Sequence, residues 1–162
     1  MNMNEKNIFD ISKKTIIITG AAGLLGSEYA KGLSKQGANV VLVDLDIKRC
    51  KEISSELNKK YAVESLAIKL DITKISSIKN MVKIIMKKYN KIDVLINNAA
   101  YQGNDKLRTI PFEELPLKNW NKAIDVNLTG IFLCCQEVGK IMVKQKKGIV
   151  INISSTYGIV AP

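Results

Sequence analysis

The sequence predicts an α/β fold with one parallel, doubly wound sheet, and three features of the chain support this prediction. Five short apolar runs recur along the 162 residues, as strands buried on both faces require. Segments with apolar residues at helical spacing separate these runs. A turn with three glycines joins the first run to the first helical segment. Strands that alternate with helices in this way pair in parallel through right-handed crossovers.

The predicted elements follow one another at regular intervals. Helical spacing places the first helix before Gly37, and the last from Trp120 to Met142 with Gly148 as its stop. The strands between the helices are expected at residues 15–19, 40–43, 66–70, 92–96 and 149–153. Five such strands fit the order 3-2-1-4-5 of a Rossmann-type sheet, although sequence alone does not determine strand order.

The amino-acid composition makes several kinds of functional site unexpected in this chain. With 46% apolar residues, the chain can bury one sizeable core. It has no histidine and only three cysteines without CxxC spacing, so Ser-His-Asp triads, disulfide scaffolds and zinc sites are not expected and no metal is predicted. The net charge of +10 is spread over lysines on every predicted helix without interleaved aromatics. A solvated lysine surface is therefore favoured over a nucleic-acid site.

The chain shows no obvious targeting signal. No stretch reaches the run of roughly 20 apolar residues that spans a bilayer. The first 14 residues are polar and lack the apolar core of a signal peptide. The sequence therefore predicts a cytoplasmic protein that contacts neither a membrane nor nucleic acid.

The glycine turn after the first strand, with sequence TGAAGLLG over residues 19–26, predicts a pyrophosphate-binding site. Gly20 would permit a tight turn, Gly23 a close approach of backbone to phosphate, and Gly26 close packing of helix on strand. Leu25 lies in the same turn and is expected to line the site. The free N–H groups and positive dipole end of the following helix favour bound phosphate. Small residues also serve turns for backbone reasons, so this motif alone is weak.

Asp44 closes the second predicted strand and is a candidate ligand for the adenosine ribose. A carboxylate there can accept the ribose hydroxyls and would repel a 2′-phosphate, whereas the alternative is a plain solvent-exposed strand end. Leu45 follows it and is assigned to the same site, and neither Leu45 nor Ala22 is basic. NAD is therefore favoured over NADP, although Lys48 and Arg49, one turn further on, leave an opening for NADP.

These residues, taken with further motifs downstream, resemble the short-chain dehydrogenases/reductases from about residue 11 to residue 162. Each motif alone is common, but together they stand in the family's order: residues 19–26, Asp44, Asp71-Ile72-Thr73, Asn97-Asn98-Ala99-Ala100, Asn127, and residues 152–158. The resemblance implies an NAD(P)-dependent oxidoreductase. Such an enzyme transfers a hydride between the nicotinamide and a small carbonyl or alcohol substrate, for which a sugar-related compound is one option.

The resemblance also assigns roles to individual residues in the cofactor site. Asp71 would bond the adenine amino group, and Ile72 would line the adenine ring. Asn98 and Ala99 would contact the adenosine ribose side, and Ala100 would lie beside them. An alternative for Asp71 is a turn residue of the N-cap kind.

Two catalytic residues are assigned by the same resemblance. Asn127 would hold a water of the proton relay, and Ser155 would bond the substrate oxygen and stabilise charge that develops there. Alternatives remain for both residues. Asn127 could be a helical asparagine that bonds a neighbouring turn, and Ser154 and Ser155 could simply cap the end of a strand.

The chain departs from the family pattern in three respects. The glycine spacing GxxGxxG is usual in the extended branch, which handles nucleotide sugars, and Ala100 replaces the last glycine of NNAG. The family's Tyr-x-x-x-Lys pair is missing, because no tyrosine has a lysine four residues later. The sixth and seventh strands are missing too, so residues 1–162 are interpreted as a single, incomplete dinucleotide-binding domain. A phenol with a pKa near 10 needs a nearby ammonium to act at neutral pH, and little or no turnover is expected.

Two other functions remain open at this point. One is a non-catalytic, truncated dinucleotide-binding module, and the other is a nucleotide-sugar epimerase or dehydratase of the extended branch. The last residues also resemble family members linked to surface-glycan or flagellin modification. In the family, the long helix from Trp120 to Met142 packs in a dimer interface, so the full-length form is expected to be a homodimer or homotetramer.

Overall fold

The computed structural model describes residues 9–103, 109–155 and 158. The N-terminal eight residues, part of the predicted loop after the fourth strand and most of the segment after Ser155 lie outside the described residues. The strands are β1 Thr15–Thr19, β2 Asn39–Asp44, β3 Leu66–Lys69, β4 Val94–Asn97 and β5 Ile149–Asn152. The helices are α1 Leu24–Lys35, α2 Ile47–Tyr61, α3 Ile75–Tyr89, α4 Leu117–Ile124 and α5 Ile131–Gln145, with a 3-10 turn at Phe112–Glu114.

The five strands form one parallel sheet in the order β3-β2-β1-β4-β5, which confirms the predicted fold. Strand β1 lies at the centre, where Ile17 pairs with Val41 of β2 and Leu95 of β4. The strand order reverses between β1 and β4. In a sheet of this kind, the crevice at the carboxyl ends of the strands opens at that switch point.

A hydrophobic core lies on each face of the sheet. Side chains alternate along β1, so Ile17 joins one core whereas Ile16 and Ile18 join the other. The first core includes residues of α3 and α5, such as Ile78 and Val138. The second includes residues of α1 and α2. Because both faces of β1 are covered, its side chains are buried on both sides, which explains its nearly continuous aliphatic sequence.

The long helix predicted from Trp120 to Met142 is interrupted by a π-helical turn. This turn, Asp125–Gly130, joins α4 to α5 and contains Asn127. Single π-helical turns inside α-helices often occur at functional sites. Gly130 is buried against Ile72, since a Cβ at Gly130 would lie 2.7 Å from Ile72 Cγ1.

Two expectations for this helix need correction. It ends at Gln145 with Lys146 in the left-handed conformation, rather than at Gly148. The continuous stretch Leu117–Gln145 has the length and hydropathy of a membrane span, contrary to the expectation from the sequence. A helix that packs on a sheet passes the same test, and residues such as Val138 and Met142 of this helix lie in the core.

Strand β5 differs from the other strands in its surroundings. It pairs with β4 along its whole length, yet all four of its residues are exposed. Ile149 is 59% exposed and Ile151 is 43% exposed, although their sequence is typical of a buried strand. Among the described residues, nothing covers the faces of this strand as helices cover β1.

Candidate active site

The crevice at the carboxyl edge of the sheet consists of two adjoining cavities. Their volumes are about 150 and 520 Å³, and both are lined by Gly20, Asp44, Ala99 and Ala100. All eleven residues predicted to bind a cofactor line one cavity or the other: Gly20, Gly23, Leu25, Gly26, Asp44, Leu45, Asp71, Ile72, Asn98, Ala99 and Ala100. Tertiary structure thus brings together residues from four separate βα junctions.

The backbone of the glycine turn leaves no room for a side chain at Gly20 or Gly26. Gly20 has a φ of +66°, and a Cβ there would lie 2.8 Å from Ala99 Cα. A Cβ at Gly26 would collide with the Gly20 carbonyl oxygen and lie 2.8 Å from Ala21 Cα. Gly23 is the N-cap of α1 and makes no side-chain cap, so the first N–H groups of the helix face the crevice region without a side-chain acceptor. A diphosphate group fits this cradle.

Asp44 ends β2 and is held at the rim of the crevice by the backbone. One carboxylate oxygen accepts a hydrogen bond from the Ala22 N–H at 3.1 Å, and the other accepts one from the Asp46 N–H at 3.0 Å. Each carboxylate oxygen can accept more than one donor. The carboxylate is therefore oriented by the glycine turn and still able to bond a ribose.

Thr19, the last residue of β1, is a site residue that sequence reasoning missed. Its buried hydroxyl accepts hydrogen bonds from the Asn98 and Ala99 N–H groups, both at 3.0 Å. The Asn98 side-chain nitrogen in turn donates to the Thr19 and Gly20 carbonyl oxygens, at 3.0 and 3.2 Å. These bonds tie the end of β4 to the start of the glycine turn. The sequence feature that could have identified Thr19 is a hydroxyl side chain at the end of an otherwise aliphatic strand.

Asp71 has the geometry of the turn residue that was its alternative interpretation. Its carboxylate accepts bonds from the Thr73 hydroxyl at 2.6 Å and the Thr73 N–H at 3.1 Å, and it lies 3.5 Å from the Lys74 ammonium. The Thr73 hydrogen bond is the main cause that lowers the pKa of Asp71. Asp71 also lines the crevice beside the buried Ile72, so a contact with adenine stays a prediction.

Asn127 clamps the loop that follows β4. Its side-chain oxygen accepts a bond from the Tyr101 N–H at 2.7 Å, and its side-chain nitrogen donates to the Tyr101 carbonyl oxygen at 3.0 Å. This is the neighbouring-backbone contact considered as an alternative. Asn127 is exposed and lines neither cavity, whereas Val126 lines the smaller one. Its role in a proton relay stays a prediction.

Ser155 lies just beyond β5 and is exposed. Its carbonyl oxygen accepts a bond from the Gly158 N–H at 3.0 Å, and it lines neither cavity. The end of β5 is tied to β4 by an amide pair, because the Asn97 side chain donates to the Asn152 side chain at 2.8 Å. Thr156 and Tyr157 of the same motif lie outside the described residues.

Among the described residues that line the crevice, the ionisable side chains are Asp44 and Asp71. Burial raises the pKa of the Cys50 thiol to about 12 and has the same effect on Cys134, so both are neutral and unreactive at physiological pH. In residues 9–103, 109–155 and 158, no group of three or more His, Cys, Asp or Glu side chains could hold a metal ion. The crevice is thus built from backbone, small residues and two carboxylates, Asp44 and Asp71, that are held by hydrogen bonds.

A family comparison agrees with this geometry. The model of the short chain dehydrogenase family matches residues 14–162. The protein belongs to the short-chain dehydrogenases. This membership confirms the resemblance that the motifs predicted.

Named relatives of this chain are oxidoreductases of the same family. This short-chain dehydrogenase is 38% identical over 149 residues to the 5-keto-D-gluconate 5-reductase of Escherichia coli (strain K12), covering 92% of the chain and 56% of the relative. It is 35% identical over 153 residues to the NAD-dependent glycerol dehydrogenase of Listeria innocua, covering 94% and 57%. The chain therefore spans a little over half the length of these curated relatives.

A solved structure has the same arrangement. The crystal structure of an NAD+-bound xylitol dehydrogenase superimposes with a TM-score of 0.86 at 26% identity. The superposition covers 94% of this short-chain dehydrogenase and 56% of the xylitol dehydrogenase chain. The sheet order and helical layers described above are thus those of the family.

Proposed function

We propose that this protein is an NAD(P)-dependent oxidoreductase that transfers a hydride between a nicotinamide cofactor and a small carbonyl or alcohol substrate. One observation supports this proposal above the others. All eleven residues that the motifs assign to a dinucleotide line one continuous crevice at the switch point of the sheet. The relatives named above are reductases and dehydrogenases of the same family.

Each residue of the crevice has a definite task in this proposal. The backbone of the glycine turn and the first N–H groups of α1 bind the diphosphate, while Asp44 orients the adenosine ribose. A bound nicotinamide dinucleotide would supply the hydride-transfer chemistry. Asn127 holds the Tyr101 backbone in place at the edge of the site. The Ser155 hydroxyl donates a hydrogen bond to the substrate oxygen and stabilises the charge that develops on it.

NAD is proposed as the preferred cofactor over NADP. The Asp44 carboxylate lines both cavities, where a 2′-phosphate would meet a like charge. Arg49, a residue that could attract such a phosphate, pairs with Glu52 at 3.3 Å. The glycerol dehydrogenase relative is named as NAD-dependent, and the xylitol dehydrogenase crystal holds NAD+.

Calorimetric titration with NADH and with NADPH tests both parts of this proposal. We expect NADH to bind more tightly than NADPH, and Asp44→Ala to weaken NADH binding by roughly 10- to 100-fold, as loss of a hydrogen bond to a charged group predicts. Asp44→Ala should also reduce the difference between the affinities of the protein for NADH and NADPH. Glu56→Ala is the matched control, since it removes an exposed acidic side chain of α2 that does not line the crevice. An absence of heat with both cofactors would refute the proposal.

The isolated 162-residue chain is proposed to bind cofactor with little or no turnover. It contains no Tyr-x-x-x-Lys pair, and hydride transfer needs a proton donor or acceptor with a pKa near neutrality. Steady reduction of NAD by this chain with any alcohol would contradict this proposal. The same measurement addresses the second candidate function, a non-catalytic dinucleotide-binding module.

The glycine spacing favours one further candidate, the extended branch that handles nucleotide sugars. An assay of a longer chain that carries the missing pair, with simple alcohols against nucleotide sugars, would separate the two. Turnover of nucleotide sugars alone would favour the extended branch.

We further propose a cytoplasmic protein that assembles as a homodimer or homotetramer and binds neither nucleic acid nor a membrane. An exposed apolar stripe along α4, the π turn and α5 supports the assembly. It includes Leu117, Trp120, Leu128 and Phe132. The packing of the opposite side of this helix against the sheet supports a role outside the membrane. Sedimentation showing a stable monomer of the full-length protein would contradict the assembly.

A further inference from the structure

A further cavity lies at the amino edge of the sheet, opposite the crevice. Its volume is about 630 Å³, and residues at the starts of β1 and β2 and at the ends of α2 and α3 line it. Asn39 and Asp44 are the two ends of β2, and six extended residues place them about 17 Å apart. Asn39 lines this amino-edge cavity whereas Asp44 lines the crevice, so the two spaces are separate.

Two half-buried tyrosine rings line the amino-edge cavity. Tyr61 is the last residue of α2, and Tyr89 is the last residue of α3. The Tyr89 hydroxyl donates to the Glu64 carbonyl oxygen at 2.8 Å, which holds this ring in place. The Lys60 ammonium lies 5.3 Å from the centroid of the Tyr61 ring, and the Lys88 ammonium lies 5.2 Å from that of Tyr89. The cavity therefore combines aromatic surface with nearby positive charge.

The charges that line the amino-edge cavity leave one cation without a partner. Lys91 pairs with Asp93 at 3.1 Å, and the Glu64 carboxylate lies 3.8 Å from the Lys88 ammonium. Lys13 also lines the cavity, is exposed, and forms no ion pair with the described residues. It precedes β1 and belongs to no helix, so it does not compensate a helix dipole. A free ammonium at a cavity wall attracts an anion.

Asn39 supplies an accessible hydrogen-bond donor at the same cavity. Its side-chain oxygen accepts the Glu64 N–H at 3.0 Å, which determines the orientation of the amide. Its side-chain nitrogen bonds none of the described residues and is not one of their buried unpaired atoms, so it stays accessible at the cavity wall. An oxyanion can accept hydrogen bonds from such an amide and from an ammonium together.

We propose that the amino-edge cavity binds a small aromatic carboxylate. The carboxylate accepts hydrogen bonds from the Lys13 ammonium and the Asn39 amide, while the ring packs on Tyr61 and Tyr89. One free cation matches the single charge of a carboxylate better than the nearly double charge of a phosphate monoester. The volume lies within the roughly 300–1,000 Å³ of small-molecule sites, which is room for a two-ring compound.

Amide NMR of the isotope-labelled chain tests this site with three matched probes. Naphthoate is the aromatic carboxylate, naphthamide is its neutral counterpart, and decalincarboxylate keeps the charge on saturated rings. We expect naphthoate to shift the amide signals of Gly37 and Ala62, which line the cavity, in a saturable way. The other two compounds should need about three- to tenfold higher concentrations, because each lacks one of the two interactions. The Gly23 amide at the crevice should stay unchanged.

Two variants and one control identify the binding groups. Lys13→Met should weaken naphthoate binding about tenfold and leave naphthamide binding unchanged, which also shows that the cavity is intact. Asn39→Asp keeps an oxygen to accept the Glu64 N–H but replaces the free donor by negative charge, so naphthoate binding should weaken about tenfold or more. Lys35→Met removes an exposed lysine of α1 that does not line the cavity, and it should leave binding unchanged.

Several results would overturn this site. They are naphthoate shifts confined to the crevice around Gly23, equal binding of naphthoate and either comparison compound, and equal binding of naphthoate by wild type and Lys13→Met. Titration of the same sample with NADH reports on the crevice. Failure of the amino-edge site is therefore distinguishable from failure of the proposed function.

Discussion

The two sides of the carboxyl edge of the sheet differ sharply in how completely they are built. Over β1 to β4, every residue assigned to the cofactor lines the crevice, and β1 and β2 below it are almost fully buried. Over β5, Ser155 is exposed, and β5 itself is exposed along its length. The predicted cofactor residues therefore meet in one crevice, while the predicted catalytic Ser155 follows a strand that the described residues leave uncovered.

The contrast shows that an aliphatic strand sequence predicts a strand but not the cover on its faces. β1 pairs with a strand on each side and lies between helices on both faces, whereas β5 pairs with β4 alone among the described strands. Apolar side chains contribute stability in proportion to the area that neighbours remove from water. The same apolar side chain should therefore contribute more to the free energy of folding in β1 than in β5.

The largest effect that this contrast predicts is on the free energy of unfolding. Ile17→Ala in β1, at a site with 0% exposure, should lower it by about 2–5 kcal/mol, since a cavity forms in the core. Ile151→Ala in β5 should lower it by about 1 kcal/mol or less, because the side chain is already half in water. Urea unfolding followed by circular dichroism measures both. If Ile17→Ala does not fold, Ile17→Val should still cost about 0.5–1.5 kcal/mol. Equal losses at the two sites would show that β5 is covered after all.

A smaller effect is expected on the cofactor side, at a glycine that packing requires. Gly26→Ala forces a Cβ against the Gly20 carbonyl and Ala21, so it should cost about 1–3 kcal/mol and weaken NADH binding as well. Gly32→Ala in the same helix is the matched control. A Cβ there meets nothing within 4 Å, and alanine should stabilise the helix by up to about 1 kcal/mol. Thermal unfolding of the two variants should move in opposite directions, and a neutral Gly26→Ala would contradict the packing described here.

The smallest effect concerns a single hydrogen bond to Asp71, which lines the crevice. Thr73→Val removes the hydroxyl that bonds Asp71, so the lowered pKa of Asp71 should rise toward its ordinary value. A lowered carboxyl pKa stabilises the folded state above the unfolded-state pKa of about 3.9, and that stability is lost as pH falls through the folded-state pKa. The stability difference between wild type and variant should therefore vanish in acid.

NMR titration of the Asp71 carboxyl group measures this pKa directly. Ser55→Ala, which removes an exposed hydroxyl on α2, should leave the pKa unchanged. An unchanged pKa in Thr73→Val would mean that Lys74, rather than Thr73, is the main partner of Asp71.

Local sequence signals predicted most of the fold and the position of the crevice. The spacing of apolar residues located every strand and the helices around them. The glycine turn and Asp44 were identified because each lies at the carboxyl end of a strand, at the same edge of a parallel sheet. The π turn was missed, because a one-residue widening of the backbone bond pattern leaves the apolar spacing almost intact. Thr19 was missed because its two N–H donors, on Asn98 and Ala99, are some 80 residues away along the chain.

The order of βα units and the strand edge at which small and acidic residues gather could be predicted from the sequence, because period, spacing and turn chemistry are local properties. The family was predicted from the resemblance of the motifs to those of known dehydrogenases. Only the folded arrangement decided that Asn127 clamps Tyr101, that the Thr19 hydroxyl accepts bonds from Asn98 and Ala99, and that β5 is exposed. Those outcomes depend on which distant segments meet. Contacts between segments that are far apart in the chain determine burial, strand pairing and cavity shape. A single stretch of sequence therefore does not predict them.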